Sequence, residues 1–161
     1  MKLKVLVTCG PTREPLDPVR FLSNRSTGTL GIELVRAFSK RGHDVLLAAG
    51  PVELPGDPGP RVRIVRFETA VDLQKVLRKE FKKYDVLCMA AAVSDFRPSK
   101  AVKSKIKRKG AALTVRLVPN PDILDGIGQT KRPDQTLVGF AVESSSIAKK
   151  ARTKLIAKNL D

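Results

Sequence analysis

Short apolar runs alternate with stretches whose apolar side chains recur every three or four positions, and this alternation continues along the whole chain. The first run, about Leu3 to Cys9, is β-branched and apolar on both faces, as in a central strand of a parallel sheet. Asp44 to Ala49, Asp85 to Ala92 and Thr136 to Ala141 read the same way, with a shorter strand at Val62 to Val65. A helix is expected from about Gly28 to Arg41, with Leu30, Leu34, Ala37 and Phe38 on its apolar face. Glu33, Arg36 and Lys40 are left for its solvated side, and Gly42 stops it. Thr69, with Asp72 three residues on, opens a second helix. Its apolar stripe holds Val71, Leu73, Val76, Leu77 and Phe81. Asn120-Pro121-Asp122 opens a third, with Pro121 early in the first turn and an acid near the positive end of the helix dipole. That helix is expected to end near Lys131, and a fourth runs from about Ser145 to Leu160. Leu113 to Val118 alternates and reads as a strand with one exposed face. Pro51 to Pro60 and the charged Val93 to Gly110 read as loops.

Strands alternating with helices predict an α/β fold: a Rossmann-like, mostly parallel sheet with helices on both faces. A basic flexible loop and a strand extension are added to it. The 161 residues suit one domain. Ligands of such sheets sit beyond the carboxyl ends of the strands. Three of those ends, Cys9 to Thr12, Ala91 to Asp95 and Gly139 to Glu143, are expected to converge on one crevice.

Composition narrows the picture. Apolar content of 42% and charged content of 29% are ordinary for a soluble domain. No run is long enough for a membrane span and the start lacks a signal peptide's apolar core, so a cytoplasmic location without membrane contact is expected. Cys9 and Cys88 fall in buried strands, where small core residues are expected rather than a disulfide. His43, in a turn, reads as solvated polar surface. The net charge of +15 implies an anionic partner. Clusters lie at Arg97 to Lys109 and Lys149 to Lys158. Aromatic content of only 4% leaves few base-stacking platforms, which disfavours nucleic acid and favours phosphorylated small molecules.

The densest chemistry follows the first strand. Gly10 to Asn24 is rich in Pro, Arg and Asp, and Ser26-Thr27-Gly28-Thr29-Leu30-Gly31 then opens the first helix. Two of a dinucleotide fingerprint's three glycines are kept. Free N–H groups there suit a phosphate; an ordinary Ser N-cap with close helix–strand packing accounts equally well for the pattern. The second strand ends Ala48-Ala49-Gly50-Pro51 without the acid that binds a dinucleotide's ribose, which argues against a dehydrogenase. Arg20 and Asn24 suit an acyl-phosphate or oxyanion site, or bonds within the loop. Asp95, after three alanines, could hold a metal or a ligand donor, or cap a turn. Lys105 lies in a basic run, either solvated or part of a mobile loop that neutralises a triphosphate.

Val7 to Asn24 followed by Ser26-Thr27-Gly28 closely resembles phosphopantothenoylcysteine synthetase, the synthetase part of a bifunctional bacterial flavoprotein. The likeness continues through Ala90 to Arg97, Lys105-Ile106-Lys107, Val118 to Leu124, Val138 to Glu143 and Lys154 to Asp161. The resemblance implies a ligase of coenzyme A biosynthesis in which CTP, with Mg²⁺, activates the 4′-phosphopantothenate carboxylate as an acyl-cytidylate. Cysteine then displaces CMP. By the same resemblance Asn24 holds the intermediate, Arg20 serves its conversion and Lys105 assists cytidylate formation. Met89, Ala90, Ala91, Asp95, Pro121, Asp122, Ile123, Leu124, Phe140, Lys154 and Lys158 match nucleotide contacts. Lys154 and Lys158 lie four apart, on one helical face. Gly10, Ser26, Gly28 and Ala92 are expected at the phosphate and substrate, with Asp95 towards the metal. The family implies a homodimer paired through the segment after the lysine loop, and a flavin-dependent decarboxylase as a fused or separate partner. Members of that family continue past the position of Asp161 with a further strand and hairpin, which the 161 residues do not include. The alternative expectation is a nucleotide-binding homologue without catalysis.

Overall fold

A computed structural model describes residues 1–108, 110, 112–141 and 145–161, with the side chain of Ile147 left aside. Lys109 of the basic run, and Val142 and Glu143 of the third expected strand end, lie outside the described residues.

Five parallel strands form the sheet: β1 (Lys4–Cys9), β4 (Asp44–Ala49), β5 (Val62–Arg66), β6 (Val86–Met89) and β9 (Thr136–Gly139), in spatial order β5-β4-β1-β6-β9. The most apolar strand, β1, is central, paired with β4 from Lys4↔Asp44 to Cys9↔Ala49 and with β6 from Val5↔Val86 to Thr8↔Met89. Its side chains alternate between two cores. Val5, Val7 and Cys9 join Val35 of α1 (Thr29–Lys40) on one face. Leu6 faces Leu73 and Leu77 of α2 (Ala70–Glu80) and Ile123 and Ile127 of α3 (Ile123–Gly128) on the other. The last helix, α4, spans Ile147–Ala157.

The order reverses at β1, which has β4 on one side and β6 on the other, and that switch point opens the crevice. Gly31 lets α1 approach β1: a Cβ there would stand 2.4 Å from the Cβ of Cys9 and 2.7 Å from the Thr8 carbonyl oxygen. The fully buried positions of α1 are Gly31, Val35 and Ser39, with Leu34 and Phe38 of the expected face partly buried against the same core. Leu30 is exposed. Closest approach at Gly31 leaves Leu30 off the sheet.

Other expectations shift at their edges. Thr69 and Asp72 form the expected capping box. Asp122, not Asn120, caps α3, so Pro121 precedes the helix instead of opening it, and the helix ends at Gly128 rather than near Lys131. The expected Leu113–Val118 strand contracts to β8 (Leu117–Pro119), paired antiparallel with β7 (Phe96–Pro98). The Pro-rich segment after β1 contains a hairpin, β2 (Arg13–Pro15) with β3 (Phe21–Ser23). His43 is not merely solvated: its Nδ1 accepts the Leu3 N–H at 3.1 Å, and its ring packs against Phe38.

Candidate functional site

A cleft of about 900 Å³ lies beyond the carboxyl ends of β1, β6 and β9, within the size range of small-molecule sites. It forms because neighbouring strands stop pairing there. The Ala90 N–H turns back onto the Cys88 carbonyl at 3.1 Å, which ends β6 at Met89 although the apolar run continues to Ala92. After this break β1 and β6 rejoin once, at a Pro11–Ala92 bridge. The Ala92 N–H donates to Gly10 at 2.9 Å and the Thr12 N–H donates to Ala92 at 3.2 Å. Thr8 Oγ1 accepts the Ala91 N–H at 2.9 Å, and Thr12 Oγ1 accepts the Ser94 N–H at 3.0 Å. Three alanines thus form a thin, backbone-rich wall that a flat ligand can approach.

The opposite wall is the start of α1. Its N-cap is Gly28 in the left-handed region (φ 79°), and no side chain caps the helix. The reading of Ser26 as N-cap is corrected. Its Oγ instead accepts the Gly28 N–H at 3.3 Å, within the turn. A Cβ on Gly28 would lie 3.2 Å from the Gly10 backbone nitrogen, so this pair of glycines lets two chain segments touch. Uncapped N–H groups and the positive end of a helix dipole consequently face the cleft.

Asn24 projects between these walls and donates from Nδ2 to the Ala92 carbonyl at 3.1 Å. That bond orients the amide and leaves its oxygen available to a ligand. The floor contains Met89, against which Thr8 Oγ1 rests at 3.5 Å. Pro121, Asp122, Ile123 and Leu124 line one side, and Phe140, Lys154 and Lys158 another. Lys158 Nζ lies 2.8 Å from Asp122. Burial alone would raise the Asp122 carboxyl, but Lys158 and the N–H groups of Asp125 and Leu124 outweigh it and hold it below the usual range.

Of the expected site residues, Asn24, Ser26, Gly28, Met89 to Ala92, Asp95, Pro121 to Leu124, Phe140, Lys154 and Lys158 come together here. Gly10 supports the wall from behind. Arg20 and Lys105 are not among the lining residues. Arg20 pairs with Asp17 and donates to the Ile106 carbonyl at 2.9 Å, beside an exposed Lys105. Asp95 is exposed in the cleft, and its carbonyl accepts the Asn120 N–H at 2.7 Å. Among the described residues no three His, Cys, Asp or Glu side chains gather as a metal cage. Asp95 and Asp122 are the two carboxylates among the described residues lining the cleft.

Sequence reasoning missed Asn120 and Asp17. Asn120 donates from Nδ2 to the Ser94 carbonyl at 2.8 Å and accepts from Arg97 at 2.9 Å, tying the segment after the alanine wall to the chain that leads into α3. Its position before Pro121 was the available signal. Cys9 and Cys88 are free and buried as expected; burial pushes the Cys9 thiol up to about 11, leaving it unreactive.

The profile of the DNA/pantothenate metabolism flavoprotein C-terminal domain family matches residues 1–161. The chain is 40% identical over 162 residues to the coenzyme A biosynthesis bifunctional protein CoaBC of Escherichia coli (strain K12), covering 99% of this chain and 39% of that protein. The bifunctional protein CoaBC of Bacillus subtilis (strain 168) is 40% identical over 157 residues, covering 98% and 38%. The chain thus spans about two fifths of the length of these curated relatives. The crystal structure of the C-terminal domain of a CoaBC protein superposes with a TM-score of 0.84 at 34% identity, covering 98% of this chain and 74% of that one.

Proposed function

Since the chain belongs to the DNA/pantothenate metabolism flavoprotein C-terminal domain family, we propose that it is a phosphopantothenate–cysteine ligase. A carboxylate oxygen of 4′-phosphopantothenate attacks the α-phosphorus of CTP, a new P–O bond forms, and pyrophosphate leaves. The amine of cysteine then attacks the acyl carbon, an amide forms, and CMP leaves with the electrons of the broken C–O bond. The carrying observation is the meeting of the Asn24 amide, the uncapped start of α1, and Lys154 and Lys158 in one cleft.

Each part has a use in this chemistry. The alanine wall admits the flat cytosine, and the α1 terminus takes a phosphate. Lys154 and Lys158 compensate triphosphate charge, and Asp95 would reach a Mg²⁺ carried on those phosphates, which supplies charge neutralisation at the leaving group. Asn24, its orientation fixed by Ala92, holds the mixed anhydride. Lys105 assists attack at the α-phosphorus, and Arg20 serves the second step.

A homodimer also belongs to this reading. β7 and β8 flank the lysine loop; Phe96 of β7 is exposed, as are Leu113 and Leu117 in the segment after that loop. Such apolar side chains suit a second copy, and a sedimentation run on Phe96→Ser/Leu117→Ser would show monomer if they form the contact. No described helix is long and apolar enough to cross a membrane.

Pyrophosphate release from the purified chain with CTP, Mg²⁺ and 4′-phosphopantothenate tests the ligase reading. Release that depends on phosphopantothenate, falls sharply in Lys105→Gln and is altered in Asn24→Asp is expected. CTP binding without release would instead establish a nucleotide-binding homologue without catalysis.

A further inference from the structure

Asp17 is a carboxylate with no exposed side-chain surface. Its two oxygens do different work. Oδ1 accepts the N–H groups of Val19 and Arg20, both at 2.8 Å, which closes the turn of the β2–β3 hairpin. An asparagine would serve that purpose equally well. Oδ2 faces the other way. It accepts from Arg20 Nε at 3.0 Å, from Arg20 Nη2 at 2.5 Å and from the backbone N–H of Ile106 at 3.1 Å, 89 residues further along the chain.

Arg20 completes the attachment by donating from Nη2 to the Ile106 carbonyl at 2.9 Å. Both backbone groups of Ile106 are thereby held by one ion pair. A second fastening lies four residues earlier, where the Val102 N–H donates to the Leu16 carbonyl at 3.0 Å. Lys103, Ser104 and Lys105 span the two fastenings. The same hairpin leads directly from β3 into Asn24, whose amide is fixed on Ala92.

We propose that Asp17 is a positioning residue: through Arg20 and the Ile106 backbone it sets where Lys105 stands relative to Asn24. This rests on the ligase reading for the work that Lys105 does. One rigid hairpin then places both groups, and a loop that charge alone would leave solvated is held at its base. Arg20 uses Nε and Nη2 in this clasp, so its effect on catalysis acts partly through the loop. Asp17 needs to be a carboxylate only for the Oδ2 side; in Asp17→Asn an NH₂ group would confront the guanidinium and the Ile106 N–H, while the turn survives on Oδ1.

The test compares wild type, Asp17→Asn, Lys105→Gln and the double variant. Hydrogen exchange at the Ile106 amide reads the clasp, and pyrophosphate release reads its consequence. In wild type the Ile106 amide should exchange more slowly than those of Lys105 and Lys107, and Asp17→Asn should speed it about tenfold or more. Asp17→Asn should lower kcat about tenfold with KM for CTP within about threefold, because misplacement affects the reacting geometry more than binding. The double variant should be no slower than Lys105→Gln alone. An unprotected Ile106 amide in wild type, unchanged exchange in Asp17→Asn, or additive losses in the double variant would each overturn the proposal. If Asp17→Asn does not fold, wild-type protection at Ile106 still decides. Wild-type chain that releases no pyrophosphate would sink the ligase reading separately, with the exchange data judging the clasp.

Discussion

The two ends of the sheet both carry basic hollows, and they are built differently. At the amino ends a shallower hollow of about 440 Å³ holds Lys4, Arg61, Arg63 and Lys83 with Asp44, Glu80 and Tyr84. Its charges largely answer one another: Arg63 lies 2.7 Å and Lys83 3.4 Å from Glu80, and Lys2 lies 2.6 Å from Asp44. The carboxyl-end cleft has fewer cations, but it has diverging strands, an uncapped helix start and a wall of alanine backbone. Charge density is therefore a poor guide to a site. What distinguishes the cleft is backbone released from the sheet and left pointing at a ligand.

Spoiling the approach of α1 to β1 should have the largest effect on the cleft. Gly31→Ala places a methyl group 2.4 Å from the Cys9 Cβ, and a loss of about 2 kcal/mol in urea unfolding is expected, together with loss of CTP binding. Gly126→Ala, where an added Cβ meets nothing within 4 Å, should instead leave stability unchanged or raise it by about 0.5 kcal/mol. Equal effects at the two glycines would mean that the close approach is not what shapes the cleft.

Next in size is a charge comparison between the ends. Lys158→Gln should weaken CTP binding about tenfold in a calorimetric titration, whereas Lys83→Gln should leave it unchanged within about twofold. A similar loss in both would return the argument to bulk charge.

Asp122 caps α3 through the Asp125 N–H at 3.0 Å, and Asp122→Ala should cost about 1 kcal/mol in thermal or urea unfolding. The smallest effect concerns pH at the amino end. Burial would raise the Glu80 carboxyl, yet Arg63 and Lys83 outweigh burial and lower it below its unfolded value. A depressed carboxylate contributes stability above its unfolded pKa and loses it as pH falls through the folded one. The urea midpoint of wild type should thus fall more steeply than that of Glu80→Gln between about pH 5 and about pH 2. Parallel curves would show that the Glu80 cluster is not linked to folding.

Much of the fold was readable locally. The continuous apolar run of Val5 to Cys9 specifies a strand buried on both faces, and Thr69 with Asp72 marks a helix start with reciprocal hydrogen bonds. The limits lay where a distant partner decided the outcome. Leu113 to Val118 alternates like a strand, but only its last two residues, Leu117 and Val118, with Pro119 after them, pair with Phe96–Pro98. Val86 to Ala92 is uniformly apolar, and the turn of the Ala90 N–H onto Cys88 that ends its pairing leaves no trace in hydropathy. Leu30 matched a helical stripe yet faces the cleft, because Gly31 and not leucine meets β1.

The parallel α/β architecture, the residues at the strand ends and the family resemblance carried by Gly10 to Gly28 follow from the chain's local patterns. These depend on periodicities and turn chemistry that act within a few residues. Only the tertiary structure decided that Asn24 is oriented by Ala92, 68 residues away, and that Asp17 grips the backbone of Ile106. Those contacts form between groups with no local claim on one another. Their geometry exists only once the sheet has brought the strand ends together.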